Sequence, residues 1–480
     1  MMSVKTPLAL ACAALLSGCM VGPDYVRPAV DLPAQYGSND TVAPAAVARG
    51  WWKQFNDDTL NALVEQALAD NSDVQRAAAR IEQADALLRE AGAALFPDVG
   101  LQAGASRSRI SGVGAPIPAG APLYRKNFQT AIATSFELDF WGKLRRASEA
   151  ARAQALGTRY AKDTVELTLV SQVTGNYLNL RALDAQLALS RDTLATRREN
   201  ADILRTRVER GLTNELELQQ ALAAQAQIEA QIADLARSRA LVENQLALLT
   251  GRLGQQIAPG DLRALPLPPL PPAGLPSSLL DARPDVRQAE SELASANALI
   301  GVAKAALYPS ISLTGNYGSQ SRELSDLFSG PSNIWSLGLS LDLPLFDGGR
   351  RSARVDQASA QQKQALAGYV SAIRNAFTDV RDALVSAEQY AQSVEALQKQ
   401  ADAAARSLQL AQKRYDSGYS RYLEVLDAQR TANEASLALV RARQGQLAEV
   451  VNLYAALGGG WAADGATAPD AAASAPSASN

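Results

Sequence analysis

The longest feature of the chain is a helical pattern that runs from Lys143 to about Glu209 without a proline. Within it Leu180, Leu187 and Leu194 lie seven residues apart, with Leu183 between them, which is the spacing of a coiled-coil seam. The pattern predicts a helix of about 65 residues, which would be about 100 Å long at a rise of ~1.5 Å per residue. A globular domain does not need such a helix, so the pattern favours an elongated architecture.

A different period appears between residues 127 and 140, where apolar or threonine side chains occupy every second position. These positions are Phe128, Thr130, Ile132, Thr134, Phe136, Leu138 and Phe140. A period of two predicts a β-strand with two different faces. Residues 98–110 alternate more loosely and predict its hairpin partner, with a Gly/Pro-rich loop between the two strands.

The whole order of elements then occurs a second time, which marks an internal repeat. Ala306–Ile311 corresponds to Ala94–Val99, and the second copy predicts strands at about 310–319 and 334–343 before another helix of about 65 residues. The predicted divisions are a signal peptide at 1–18, an extended N-terminal segment at 19–56, a first repeat at 57–253, a proline-rich connector at 254–276, a second repeat at 277–457 and a disordered tail at 458–480.

Each repeat has a glycine between its long helix and the shorter helix that follows. Gly211 and Gly418 can take a positive φ and reverse the chain. Thr213 and Asn214 in the first repeat, and Ser420 in the second, offer side-chain oxygens to cap the next helix. Each copy therefore predicts the tip of a helical hairpin.

The first twenty residues resemble the export signal of a lipoprotein. Lys5 supplies a positive charge, and the apolar stretch Leu8–Leu16 is too short to span a bilayer. The run Leu16-Ser17-Gly18-Cys19 resembles a bacterial lipobox, which predicts cleavage before Cys19 and acylation of that residue. Met20, rather than Asp, follows the cysteine, and by resemblance to the sorting rule this favours the outer membrane.

The composition excludes several classes of function. A net charge of -3 offers no basic surface for nucleic acid. Histidine is absent, which removes the commonest general base and metal ligand. The only cysteines are Cys12 and Cys19, so the body of the chain offers neither a disulfide nor a zinc site. We therefore expect no enzymatic activity, no metal site and no cofactor other than the lipid on Cys19.

Strands of about ten residues suit the wall of an outer-membrane barrel, but four strands cannot close one, because the smallest barrels have about 8. Unpaired backbone groups in lipid cost several kcal/mol each, so the open edges must find partners. Three chains with four strands each would supply twelve strands. The predicted fold is therefore mainly α, with long coiled-coil hairpins and four strands per chain. A trimer would form a 12-stranded barrel on a hollow α-helical cylinder, with both tips at the far end.

The residues around the second tip resemble the TolC outer-membrane factor family. They are Arg414-Tyr415, Gly418 and the run Tyr422-Leu423-Glu424-Val425-Leu426-Asp427-Ala428-Gln429-Arg430. The Phe96-Pro97 and Tyr308-Pro309 junctions and the strand exit Gly348-Gly349-Arg350 match the family as well. The lipobox and the early Gly22-Pro23-Asp24-Tyr25 are similar to the lipoprotein branch of OprM/NodT-like efflux proteins. The resemblance covers almost the whole mature chain.

The resemblance implies a homotrimeric channel in the outer membrane of a Gram-negative bacterium, with a periplasmic helical tunnel. Such a channel is the exit duct of a tripartite efflux system. It passively conducts small molecules such as drugs from a periplasmic adaptor (membrane fusion) protein and an inner-membrane pump, most often of the resistance–nodulation–division type. Two alternatives stay open at this point: a component of type I protein secretion, and a periplasmic coiled-coil lipoprotein without a pore, which would need no strands.

The resemblance also implies a gate at the periplasmic end, where acidic side chains form rings. Matching the motif places Glu424 and Asp427 at the acidic positions and Leu423 at an apolar constriction, with Tyr415 and Arg430 in bonds that hold the closed state. Leu423 and Asp427 are four residues apart and share a helix face, and three-fold symmetry would turn each side chain into a ring. The residues alone fit a second interpretation as well as this one: the two acids would simply be solvated charges at the start of a helix.

The expected adaptor contacts are the hairpin tips. The residues concerned are Gly211, Leu212 and Thr213 in the first repeat and Gly418, Tyr419 and Ser420 in the second.

Overall fold

A computed structural model describes residues 20–33, 36, 47, 49–111, 122–271 and 279–460 of the 480. Several predictions lie outside the described residues: the signal peptide, the acylated Cys19, the centre of the first β-hairpin loop, the end of the connector and the tail from 461.

The described helices and strands follow the predicted twofold order. They are α1 (Asp58–Asp70), α2 (Ser72–Ala93), β1 (Asp98–Arg109), β2 (Tyr124–Leu138), α3 (Lys143–Glu209), α4 (Glu215–Leu249), α5 (Leu279–Ala282), α6 (Pro284–Ala305), β3 (Ser310–Ser321), β4 (Asn333–Asp342), α7 (Arg350–Asp416) and α8 (Tyr422–Ala456). The long helices α3 and α7 have 67 residues each, and α4 and α8 have 35 each. Among the described residues, none of the helices has an apolar stretch that is long enough to cross a membrane.

Acidic side chains determine where several helices begin. The carboxylate of Asp57 accepts a hydrogen bond from the backbone of Leu60 at 3.0 Å and starts α1. Asp139, just beyond β2, accepts from the backbone nitrogens of Leu144 and Arg145, both at 3.0 Å, and starts α3. In each case a carboxylate satisfies N–H groups that have no partner within the helix.

The chain divides into two compact units, and each unit draws on both repeats. Unit 1 comprises Met1–Ala29, Arg80–Arg159 and Gln288–Tyr369, and unit 2 comprises Val30–Ala79, Tyr160–Arg287 and Val370–Asn480. The units therefore differ from the tandem repeats of the sequence, because equivalent elements of the two repeats pack against each other.

Unit 1 contains one four-stranded antiparallel sheet in the order β1-β2-β3-β4. Two of its ladders are the predicted hairpins, β1 with β2 and β3 with β4. The third joins β2 to β3 and so connects the two repeats. Among the described residues β1 and β4 each pair on one side only, which leaves two open edges.

The core of unit 2 lies where both repeats meet an N-terminal aromatic pair. Trp51 is 1% exposed and stacks on Tyr454 with ring centroids 5.2 Å apart, and Phe55 is fully buried. The prediction of an extended segment as far as residue 56 is wrong here, because Trp51–Phe55 form a short 3-10 helix. Gly50, with a φ of 86°, turns the chain so that both rings enter the core.

Within unit 2 the shorter helices meet end to end. The side-chain amide of Asn71 donates to the carbonyl of Leu249 at 2.9 Å, so the start of α2 lies against the end of α4. In the second repeat Arg283 donates to the carbonyl of Ala456 at 3.2 Å, which places the start of α6 against the end of α8. Residues 458–460, predicted as part of the disordered tail, instead form a turn that packs on Ala282.

Candidate functional site: hairpin tips, gate and sheet

The two hairpin tips have the same backbone geometry. Gly211 has a φ of +68°, and the backbone of Leu212 donates to the carbonyl of Arg207 at 2.8 Å. Gly418 has a φ of +77°, and the backbone of Tyr419 donates to the carbonyl of Arg414, also at 2.8 Å. Both glycines end a long helix by satisfying its last carbonyl groups, as the sequence predicts.

The two tips differ in how the next helix begins. Asn214 caps α4 by accepting from the backbone of Glu217 at 3.1 Å, as predicted. The predicted cap by Ser420 is wrong: the position before α8 is Arg421, which makes no side-chain cap, and the Ser420 hydroxyl has no partner among the described residues. Tyr422, the first residue of α8, is 4% exposed, so packing rather than a cap determines where this helix starts.

Large apolar side chains are exposed at both tips. Leu212 is 72% exposed and Leu216 is 63% exposed at the first tip, and Tyr419 is 80% exposed at the second. Thr213, the predicted contact beside Leu212, donates its hydroxyl to Glu217 at 2.7 Å and so stabilises the turn. The tips therefore present apolar groups on hydrogen-bonded turns, which suits a protein contact.

The predicted gate acids lie on the exposed side of α8. Asp427 accepts from Arg430 at 2.8 Å, and Glu424 lies 3.8 Å from Arg414. More than half of each of these four side chains is exposed, and Leu423 is 59% exposed beside them. Exposed ion pairs contribute about 1 kcal/mol or less, so these acids remain available for contacts with other molecules.

Tyr415 connects the two hairpins. Its hydroxyl donates to Glu217 and accepts from Arg207, both at 3.4 Å, and both residues belong to the first tip. Burial raises the pKa of Tyr415, and the Glu217 carboxylate adds to the rise. The structure does not bring Tyr415 to Arg430. The repeat equivalence of Glu217 and Glu424 was visible in the sequence, but the contact between Glu217 and Tyr415 was not.

The register of the sheet places most of the apolar positions of the four strands on one face. In one row Leu101 lies opposite Ile132, Ile132 opposite Tyr317, and Tyr317 opposite Trp335. These four side chains are 52–76% exposed. The neighbouring rows of the other face carry small and polar side chains: Ser135, Thr314 and Gly338, then Glu137, Ser312 and Ser340. The sheet thus has one apolar face and one polar face.

Residues 20–27 form a contact in unit 1 that sequence reasoning missed. Val21 donates its backbone N–H to the carbonyl of Trp141 at 3.1 Å. Arg146, 2% exposed, pairs with Asp24 at 2.6 Å. A Cβ on Gly301 would lie 2.8 Å from the Arg146 side chain and 2.9 Å from the Val21 carbonyl. This close approach holds the segment that directly follows Cys19. Gly22 and Gly301 meet there, but they are far apart in sequence and form no local pattern that could have revealed the contact.

The comparison with protein families decides the assignment. Residues 63–252 and 275–459 match the model of the outer membrane efflux protein family. The chain belongs to this family. The first matched stretch ends three residues beyond α4, and the second ends three residues beyond α8.

Individual relatives agree along nearly the whole length. The chain is 35% identical to the cation efflux system protein CusC of Escherichia coli O6:H1, over 94% of this chain and 98% of that protein. It is 35% identical to the solvent efflux pump outer membrane protein SrpC of Pseudomonas putida, over 93% and 96%. The solved Campylobacter jejuni CmeC outer membrane channel superposes with a TM-score of 0.86 at 26% identity, over 92% and 96%.

The protein is therefore an efflux channel of the outer membrane, mainly helical with a four-stranded sheet. Its solved relatives are channels rather than enzymes. Within the described residues no group of three or more His, Cys, Asp and Glu side chains is placed to hold a metal ion.

Proposed function

We propose that three copies of the chain close a 12-stranded barrel in the outer membrane and line one continuous duct. The observation that supports this most strongly is the sheet register, which gives four strands one apolar face and two open edges. An exposed apolar sheet with unpaired edges is an aggregation hazard in water and is unstable in lipid unless its edges pair. Pairing β4 of one copy with β1 of the next removes both problems.

In this assembly the tips receive a periplasmic adaptor protein that is coupled to an inner-membrane pump of the resistance–nodulation–division type. The exposed Leu212 and Tyr419 would enter apolar sites on the adaptor. Gly211 and Gly418 hold the turns, and Thr213 and Ser420 complete the two tips. The lipid on Cys19 would anchor the chain in the outer membrane beside the contact made by residues 20–27.

The gate is formed by Leu423, Glu424 and Asp427 from three copies. Each acid is exposed on α8. Tyr415 reaches the other hairpin, whereas Arg430 pairs with Asp427 and Glu434 of α8 itself. Tyr415 would act by joining the second hairpin to Glu217 of the first, and Arg430 by pairing with Asp427.

Small organic molecules are the cargo that the chemistry favours. The chain has no histidine, and its three methionines are Met1, Met2 and Met20. After cleavage before Cys19, Met20 would be the only thioether, and the chain has no imidazole, so it offers few ligands to a soft metal ion. Expression in a strain that lacks its own channel should restore tolerance of drugs or solvents rather than of copper or silver, and the opposite pattern would refute this choice of cargo.

Conductance of the purified protein in planar bilayers tests the channel and its gate. We expect trimers by native mass spectrometry and pores that are largely closed. The double variant Glu424→Ala with Asp427→Ala should open wider, because the acidic rings would be gone. The matched control is Glu395→Ala, which removes an exposed acid of α7 that pairs with Lys399 at 2.6 Å. Membranes without conductance for all three proteins would refute the proposed channel.

A further inference from the structure

Arg197 on α3 is a buried cation that has no partner in the part of the chain that the structure describes. It is 7% exposed, its Nε atom is buried without a hydrogen bond among the described residues, and no ion pair is formed with it there. Burial lowers the pKa of Arg197, and the nearby Tyr422 offsets this only in part. A buried charge without a counter-charge is unfavourable for a folded protein, so a negative group that is not part of the described chain is expected beside it.

Arg197 lines a cavity of about 350 Å³ between the two hairpins of unit 2. The space is more than ten times the volume of a water molecule in the liquid, which is ~30 Å³. Its polar lining comes from both hairpins: Arg197 on α3, Gln227 and Gln231 on α4, and Arg430, Asn433 and Arg441 on α8.

The charges in this lining do not balance. Glu434 is its one carboxylate, and it lies 3.3 Å from Arg430, which also pairs with Asp427. Arg441 forms no ion pair in the described part of the chain. Arg197 and Arg441 therefore have no negative partner among the described residues, and of the two Arg197 is buried whereas Arg441 is exposed. Asn433 accepts a hydrogen bond through its side-chain oxygen, from Thr193 at 3.4 Å, which leaves its NH₂ group free to donate.

We propose that this cavity binds a small oxyanion, a phosphate or a carboxylate, between Arg197 and Arg441. The planar guanidinium group matches two oxygens of such an anion, and the amide groups of the lining supply further donors. Water in the cavity would satisfy the N–H groups of Arg197 but would leave its charge without compensation. The bound anion connects the first hairpin to the second, beside the Arg430 that pairs with Asp427.

Binding of inorganic phosphate to the full-length protein in detergent tests this site. Calorimetry and thermal unfolding are measured at constant ionic strength, with sodium chloride as the reference salt. Wild type should bind one phosphate per chain and unfold at a higher temperature in phosphate. Arg197→Met should weaken binding about tenfold or more, since a charge-assisted contact is lost. Arg198→Met is the control, because Arg198 is exposed and pairs with Glu229 at 2.8 Å.

The same variants distinguish a bound free anion from a general salt effect and from a carboxylate of another copy. In sodium chloride Arg197→Met should be as stable as wild type or more stable, since an uncompensated buried charge has been replaced by an apolar group. Equal stabilisation of all three proteins by phosphate would be a general salt effect and would overturn the proposal. The proposal would also be overturned if wild type bound no phosphate and Arg197→Met no longer formed trimers. The negative partner of Arg197 would then be a carboxylate of another copy. If Arg197→Met does not fold, Arg441→Met gives the same test. None of these measurements requires conduction, so failure of the site leaves the proposed channel intact.

Discussion

A buried carboxylate on α3 should control the stability of unit 2 more than any exposed carboxylate of the same helix. Asp184 is 3% exposed and accepts hydrogen bonds from Arg181 at 3.0 Å, Arg239 at 2.7 Å and the backbone of Gly260 at 3.0 Å. Arg181 itself is 6% exposed and donates to the carbonyl of Ala258 at 2.7 Å. The network thus fastens the start of the connector to α3 and α4.

Asp184→Ala leaves two guanidinium groups without their shared acceptor. Removing one partner of a buried pair costs about 3–5 kcal/mol, because the remaining charge stays buried. The control Asp202→Ala breaks a pair with Arg205 at 2.6 Å in which both side chains are at least half exposed, and such pairs contribute about 1 kcal/mol or less. Replacing the carboxylate and both guanidinium groups together by apolar residues would not cost the same stability, because no buried charge would be left without a partner.

The measurement is the unfolding temperature of the purified protein in detergent, followed by tryptophan fluorescence. For domains of 150–250 residues a change of ~1 kcal/mol moves Tm by about 2–4 °C. Asp184→Ala should therefore lower Tm by roughly 6 °C or more, and Asp202→Ala by a few degrees at most. Equal shifts in the two variants would refute the reasoning, since the cost would then not depend on burial.

Three further predictions address the N-terminal contact, a buried tyrosine and the tips. Gly301→Ala should expose the segment after Cys19 to proteolysis, because its Cβ has no room, whereas Gly92→Ala, which meets nothing within 4 Å, should be neutral or stabilising. Tyr177 donates to a carboxylate at 2.6 Å, and burial raises its pKa. The stability that the Tyr177 hydroxyl adds is thus present below pH ~10, the pKa of an unfolded tyrosine, and is lost as the pH rises above it. The difference in Tm between wild type and Tyr177→Phe should therefore narrow as the pH rises from 9 to 11. A widening difference would contradict this. Leu212→Glu should weaken adaptor binding about tenfold or more in surface plasmon resonance with Tm unchanged, while Leu253→Glu, at an exposed position outside the tips, should bind normally.

Local patterns in the chain were sufficient to predict the elements. Period-two alternation located β2 because a strand with two environments must alternate, and the structure begins that strand at Tyr124 and ends it at Leu138. The tip glycines were predictable for a related reason: a positive φ after a long helix is strained for any residue with a Cβ. The internal repeat was visible because equivalent elements keep equivalent residues.

Contacts between distant parts of the chain were not predictable in the same way. Alternation shows that each strand has an apolar face, but only the pairing of β2 with β3 places the faces of both repeats on one side of the sheet. Shifting that register by one residue would reverse the faces while the sequence stayed the same. Trp51 illustrates the limit as well, since an aromatic residue after a glycine suits either a surface or a core.

The sequence by itself determined the twofold order of elements, the reversals at Gly211 and Gly418, and the acids on the exposed side of α8, because each of these depends on neighbours within one helical or strand period. Only the tertiary structure decided that Tyr415 meets Glu217, that Arg197 is buried without a counter-charge from the described residues, and that the strands share one apolar face. Those contacts join residues separated by up to about 200 positions. Their energies depend on burial and distance, which no local pattern encodes.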